Sequence, residues 1–219
     1  MNTEVLRSYL PLFTEAFLLT VKIGWIGIAL SFLIGFVCAF IRYFRIPVLT
    51  GIVKGYVELF RNTPLLIQLF FIYYGLPAVG IRVSAEVCGA VGLGLLGGSY
   101  MTESIRSGLE AVPYIQTESA LSLGMNKPSL FVHVILPQAL SISVPALVAN
   151  LIFLLKETSV FSAISLMDLM FTAKDLIGLY YNTTESLVLL VLFYILMLLP
   201  VSIAGSLIEK KARFKMFGD

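Results

Sequence analysis

Charge and histidine are what this chain has least of. Only 13% of its 219 residues are Asp, Glu, Lys or Arg, and His133 is its single histidine. A catalytic or metal-binding histidine needs partners at suitable spacing, and His133 has none, so it reads as a structural residue near a helix start. That absence argues against a membrane-embedded hydrolase. The two cysteines, Cys38 and Cys88, both lie in apolar runs and read as small buried hydrophobes, with no sign of a disulfide or a metal site. No G-x-x-x-x-G-K-[ST] loop occurs, so the chain does not bind ATP through a P-loop. A net charge of +2 gives nucleic-acid binding no electrostatic support.

What the chain has is hydrophobicity. It is 58% apolar, with a mean hydropathy of +0.95, against about 45–50% apolar in soluble domains. Several runs approach or exceed the roughly 20 residues that span a bilayer. They are continuous rather than alternating, which favours helices over a β-barrel. The expectation is an all-α integral membrane protein, a single transmembrane domain over residues 1–219 with membrane lipid around it. No cleavable signal peptide is expected, because Glu4 and Arg7 precede a run too long for one.

Five spans are expected, at about 11–40, 48–77, 87–107, 128–155 and 186–208. The first carries Lys22 near one end or snorkelling and ends at Arg42, Arg45 and Pro47. The second is one kinked span with Pro64 near the bend, and Glu58 and Arg61 near the interface. The third is rich in glycine, which lets helices approach closely. The fourth is interrupted by Pro137 and Pro145. After it, Leu166, Leu169, Met170, Ala173 and Ile177 recur at helical spacing with Asp168, Lys174 and Asp175 off that face, so an amphipathic helix is expected at the outer surface. The fifth ends in a basic cluster. Arg42, Arg45, Lys127, Lys210, Lys211, Arg213 and Lys215 then fall on one side, and Arg7, Arg82 and Lys174 on the other. The positive-inside rule places the N-terminus outside and the C-terminus in the cytoplasm.

That orientation puts Pro113–Pro137 in the cytoplasm between spans three and four. The stretch opens on Pro113, a permitted first-turn residue, alternates apolar Ile115, Ala120, Leu121 and Leu123 with polar Gln116, Glu118 and Ser122, and stops at Gly124. Asn126, Lys127 and Pro128 then make a turn. A short half-polar helix at about 113–125, between two membrane-grade segments, is a surface suited to another protein.

Glu118-Ser119-Ala120, three residues, Gly124, nine residues, then Val134-x-Leu136-Pro137 resembles the EAA signature of bacterial ABC-importer permeases, with Ser119 for an alanine and Val134 for an isoleucine. VELFRNTPLLIQLFFIYYGLP, ESIRSGL, VILPQAL and LLKETS are similar to the polar amino-acid subfamily, the histidine/glutamine/arginine-type permeases. Asn62 and Ser107 stand where that subfamily has glycine, and Glu157 where it has aspartate. The resemblance implies the type I ABC-importer permease fold of five helices with a cytoplasmic coupling helix, in which Glu118, Ser119, Ala120, Gly124, Leu136 and Pro137 belong to the ATPase-coupling segment. It implies a bacterial plasma-membrane complex with a second permease subunit, identical or related, with ABC ATPase subunits that hold ATP-Mg, and with an extracytoplasmic substrate-binding protein. The chain itself then needs no cofactor or metal and is not an enzyme.

Charges inside a membrane segment are functional candidates by default. An amino acid carries an ammonium and a carboxylate, so Glu103 or Glu157 is expected to receive the one and Lys156 the other, with Thr158 and Ser159 adding hydrogen bonds. A structural ion pair is the competing account of these charges. Gln68, Tyr73 and Tyr74 line the path or serve as interface anchors. Alternatives are a same-fold permease for cystine, an opine or another small solute, and a stand-alone secondary carrier or channel.

Overall fold

The computed structural model describes residues 3–217, with side chains as far as Ala212, so the side chains of Arg213 and Lys215 lie outside the described residues. The long elements are α1 (Thr3–Tyr43), α4 (Ala85–Glu110), α7 (Leu136–Glu157) and α9 (Thr183–Phe217). Shorter helices are α2 (Leu49–Arg61), α3 (Leu65–Phe70), α5 (Tyr114–Ser122), α6 (Lys127–Leu130) and α8 (Leu169–Tyr180). Three stretches are long and apolar enough to cross a membrane, namely Thr3–Tyr43, Lys127–Ile164 and Thr183–Ala212. Leu49–Arg61 with Leu65–Val79 makes a fourth if its two halves count as one span.

α4 is the axis of the bundle. At 26 residues it is about 39 Å long, and its glycines let three neighbours lie almost on its backbone. A Cβ at Gly97 would meet Ser31 of α1 and lie 2.6 Å from Leu154 of α7; one at Gly108 would meet Ser143 and lie 2.5 Å from the Ala139 carbonyl oxygen. The same contacts fix direction. Gly27 faces Ala90 and Leu93 while Gly35 faces Met101, so α1 and α4 run parallel. Tyr56 lies against Gly98 and Leu69 against Gly92, so α2 and α3 return antiparallel to α4. α7 is also antiparallel to α4, pairing Leu154 with Gly97 and Ser143 with Gly108. α1, the α2–α3 pair, α4 and α7 thus alternate in direction along the bundle.

The second pass is broken rather than kinked. α2 and α3 meet at 106° across Asn62–Pro64. Gln68 holds the corner, its Nε2 donating to the carbonyls of Phe60 and Thr63, both at 3.0 Å, and to the Thr63 hydroxyl at 2.9 Å. The two N–H groups of one amide, shared among three acceptors, span the interruption where backbone carbonyls would otherwise lose partners.

Two widened turns follow a proline rule. Proline cannot donate to the carbonyl four residues back, and its ring crowds that oxygen. The π-turn at Phe71–Gly75 is centred on Tyr73, four residues before Pro77. The one at Phe131–Ile135 is centred on His133, four residues before Pro137. In both, the extra residue in the turn relieves the crowding. Pro145, expected to interrupt the fourth span, lies inside an unbroken α7, and Pro11 likewise sits inside α1. In a membrane bundle neighbouring helices cover such single gaps. Lys22 lies mid-way along the 41-residue α1 but level with the first turn of α4, where Glu86 pairs with it at 3.0 Å.

Candidate functional site

Two regions carry the candidates, and they lie at opposite ends of the bundle. At the end expected to be cytoplasmic, α5 starts after Pro113 and stops in a Schellman arrangement. Met125 N–H donates to the Ala120 carbonyl at 3.1 Å and Gly124 N–H to the Leu121 carbonyl at 2.9 Å. Gly124 adopts φ +79°, the left-handed conformation this motif requires. Ala120 is the residue that tethers the helix. It belongs to a buried cluster with Ala39 of α1, Ile105 and Leu109 of α4, Leu130 of α6, Ile135 of the π-turn that follows α6, and Ala139 of α7. Asn126, read as part of a turn, caps α6 by accepting from Ser129 N–H at 2.9 Å.

The outward side of α5 is uncovered and mixes apolar with polar side chains. Tyr114 is 72% exposed, Ile115 60% and Leu123 83%. Glu118 and Ser119 are exposed beside them, while Leu136 is half-buried and Pro137 exposed in the pass that follows.

Glu103 lies at this same end. Its carboxylate pairs with Arg42 of α1 and, at 2.7 Å, with Arg106, which also pairs with Glu110. Glu103 therefore has two cationic partners, Arg42 and Arg106, and lies apart from Lys156. Thr158 packs near Gly24 and Phe161 near Gly89, which places their level about 20 Å along the α4 axis from Glu103.

At the other end, α7 tightens into a 3₁₀ segment at Thr158–Ile164. Lys156 is exposed and lines a groove of about 640 Å³ between α7 and α9, with Ile152, Tyr194, Leu198 and Ser202. Glu157 and Ser159 are half-buried. Thr158 is fully buried and donates to the Leu155 carbonyl at 2.7 Å. Tyr74 reaches this segment from the second pass, its hydroxyl 3.5 Å from the Ala163 carbonyl. Gln68 sits instead at the α2–α3 corner, in a nearly apolar groove with Leu59, Phe60, Thr63 and Phe71. Arg61 stacks over Tyr100 at 5.4 Å.

Sequence reasoning missed Asp168. It was expected off the apolar face of an amphipathic helix. It is instead fully buried and caps α8, its Oδ1 accepting from Phe171 N–H at 2.9 Å. The pattern Asp168-Leu169-Met170-Phe171, a cap residue immediately before an apolar run, was the available signal. Burial drives the Asp168 pKa up from 3.8 to about 7, opposed by the backbone N–H groups of the cap and by Lys174. The folded chain therefore holds a proton that the unfolded chain releases between these values. This contribution to stability is complete below about pH 4 and is lost as pH rises through about 7. Asp168→Asn keeps a capping oxygen and removes the titration. We expect its thermal midpoint, relative to the parent, to rise by several degrees between about pH 5 and about pH 8. An offset that stays constant with pH would contradict the assignment.

Comparison with known proteins decides the family. Residues 31–214 match the family described as the binding-protein-dependent transport system inner membrane component. The chain belongs to this family. It is the membrane permease of an ABC importer and an inner-membrane protein. The permease is 31% identical over 211 residues to the probable glutamine ABC transporter permease protein GlnM of Bacillus subtilis (strain 168), covering 96% of this chain and 98% of that one. It is 30% identical over 205 residues to the arginine transport system permease protein ArtQ of the same organism, covering 93% and 94%. Its fold matches a crystal structure of an amino acid ABC transporter with histidines at TM-score 0.89 and 32% identity, over 96% of the permease and 99% of that chain. Inward-facing MetNI methionine ABC transporter structures share the fold at TM-score 0.78 and 21% identity, over 94% and 98%.

Proposed function

We propose that this permease carries polar amino acids inward through a complex driven by a separate ABC ATPase. The observation that supports this most directly is α5. It is a short helix with a Schellman stop, seated on α6 and the π-turn Phe131–Ile135, with Ala120 in the buried cluster of that end and with Tyr114 and Ile115 uncovered where Arg42, Arg45 and Lys127 gather. A helix so mounted transmits a rigid-body push from a docked engine to the passes behind it. All five passes cross the membrane, with the N-terminus outside and the C-terminus in the cytoplasm. α5 is the coupling helix, and Glu118, Ser119, Ala120, Gly124, Leu136 and Pro137 belong to the coupling segment. ATP-Mg is held by the ATPase. An extracytoplasmic binding protein delivers the amino acid, and a second permease subunit completes the path.

For the path itself, Lys156, Glu157 and Ser159 are the residues placed to meet a zwitterion, at the outer turn of α7. Thr158 supports them from behind. Glu103 and Gln68 are engaged elsewhere, in the ion network and at the α2–α3 corner.

The test is reconstitution of permease, ATPase and binding protein in proteoliposomes. Labelled L-glutamine, L-arginine or L-histidine is expected to accumulate only with ATP and all components. Accumulation without the ATPase would make the chain a stand-alone carrier. ATPase stimulation by cystine or an opine, and by none of the three amino acids, would replace the substrate class.

A further inference from the structure

The second pass carries a cation that the fold leaves without a counter-charge. Arg61 is the last residue of α2, about 18 Å along that helix from its start. Its side chain is exposed, and among the described residues no carboxylate pairs with it. Glu58, one turn back, accepts instead from the Asn62 amide at 3.2 Å. The Arg61 guanidinium lies over the Tyr100 ring of α4, 5.4 Å from its centroid. A guanidinium stacked in this way spends its face on the ring and keeps the N–H donors at its edge. A cation within a membrane pass is costly, and such residues mark substrate pathways.

Tyr100 joins Arg61 to the outer turn of α7. Its ring meets Phe153 of α7 edge-on, with 5.3 Å between centroids. One turn further along α4, the Ser104 hydroxyl accepts from Asn150 Nδ2 of α7 at 2.8 Å. Spacings of three and four residues put Asn150, Phe153 and Glu157 on one face of α7, and Tyr100 and Ser104 on one face of α4. All five are half-buried rather than packed away. The two helices thus share a polar and aromatic face, with Lys156 and Glu157 at its outer end and Arg61 over it from α2. We propose that Arg61 is a second carboxylate-binding station of the path, and that Tyr100 is the positioning residue that holds the guanidinium at this face. The amino acid's carboxylate leaves Lys156, passes the Tyr100–Phe153 pair and is received by the Arg61 fork before release to the cytoplasm. The ligand is the α-carboxylate that every amino acid carries, so the station reads the backbone of the substrate and not its side chain.

This inference rests on the proposed role of Lys156–Ser159 in the path, and its test separates the two. Proteoliposomes carry permease, ATPase and binding protein, with Cys38→Ala and Cys88→Ala in the permease. Uptake is followed for the first of L-glutamine, L-arginine or L-histidine that the parent transports. Arg61→Cys is expected to cut maximal uptake about tenfold, the worth of one charge-assisted hydrogen bond. Arg61→Lys keeps the charge and stays within about threefold of the parent. Treatment of Arg61→Cys with 2-aminoethyl methanethiosulfonate attaches an ammonium through a disulfide and releases methanesulfinate. It is expected to raise uptake about threefold, while the neutral methyl reagent does not, and an excess of the amino acid slows the modification. The complex that retains Arg61 is the control for modification elsewhere, and recovery after assembly excludes misfolding. Tyr100→Leu lowers uptake as Arg61→Cys does, and Tyr100→Phe restores it, because the ring and not the hydroxyl carries the cation. Unchanged uptake in Arg61→Cys, equal recovery with both reagents, or loss that neither relieves overturns the station. Parental uptake in Tyr100→Leu overturns its positioning role. Parental uptake in Lys156→Gln, with the Arg61 effects intact, keeps the station and removes Lys156 from the path.

Discussion

Replacing Leu123 by aspartate is expected to cut ATP-driven uptake at least tenfold while the thermal midpoint of the purified permease stays within about two degrees of the parent. Leu123 is 83% exposed and is the C-cap residue of α5, just before Gly124. Nothing in the chain depends on its side chain, so a surface substitution there falls within about 0.5 kcal/mol of neutral. A partner seated on α5 would bury it. An aspartate would then be desolvated without a counter-charge, a penalty of several kcal/mol at an interface centre. Retention of the ATPase on an affinity-tagged Leu123→Asp permease, with uptake intact, would rule out this face as the docking surface. Gly124→Ala is the companion. A Cβ there meets open space, so the whole cost is the left-handed backbone, about 1 kcal/mol. A loss of uptake larger than that strain would explain points to a distorted α5 rather than an unfolded chain.

The largest expected effect on stability is at Gly108. Alanine would place its methyl 2.5 Å from the Ala139 carbonyl oxygen and against Ser143. The first of these is backbone, so the conflict is relieved only by moving α7 off α4. Overpacking of this kind costs about 1–3 kcal/mol. We expect Gly108→Ala to lower the thermal midpoint by about 5 degrees or more and Gly108→Leu to leave no monodisperse permease after purification. Gly51 of α2 is the control, because nothing lies within 4 Å of its added Cβ. Gly51→Ala should be neutral or stabilise by up to about 1 kcal/mol. Equal midpoints for the Gly108 and Gly51 alanine variants would show that α4 and α7 do not pack as closely as described.

What was legible in the sequence was local or periodic. Pro113, Gly124 and Asn126 each act within a few residues of themselves, and each does in the structure what its chemistry predicts. The long apolar runs point to the long helices, whose ends are set by turns and caps that an apolar count does not sense. Glu103 shows the limit. Its cation Arg42 lies 61 positions away, and only the parallel packing of α1 on α4 brings them together. The break at Pro64 was visible, but its angle was not, because Gln68 sets the corner by reaching back to Phe60. Asp168 looked like a solvated charge because its burial comes from α1 and α9, which no local window contains.

The composition of α4 bears on how the molecule is made. It holds Glu103, Arg106 and Glu110 and falls outside the stretches apolar enough to cross a membrane unaided. A translocon that sorts segments by their own hydrophobicity would release it poorly. By the time α4 emerges from the ribosome, α1 has already been synthesised, with Ser31 and Arg42 placed to receive it. Insertion of α4 is then a pairing event, and a nascent chain lacking α1 should leave α4 stranded for quality-control proteases to remove.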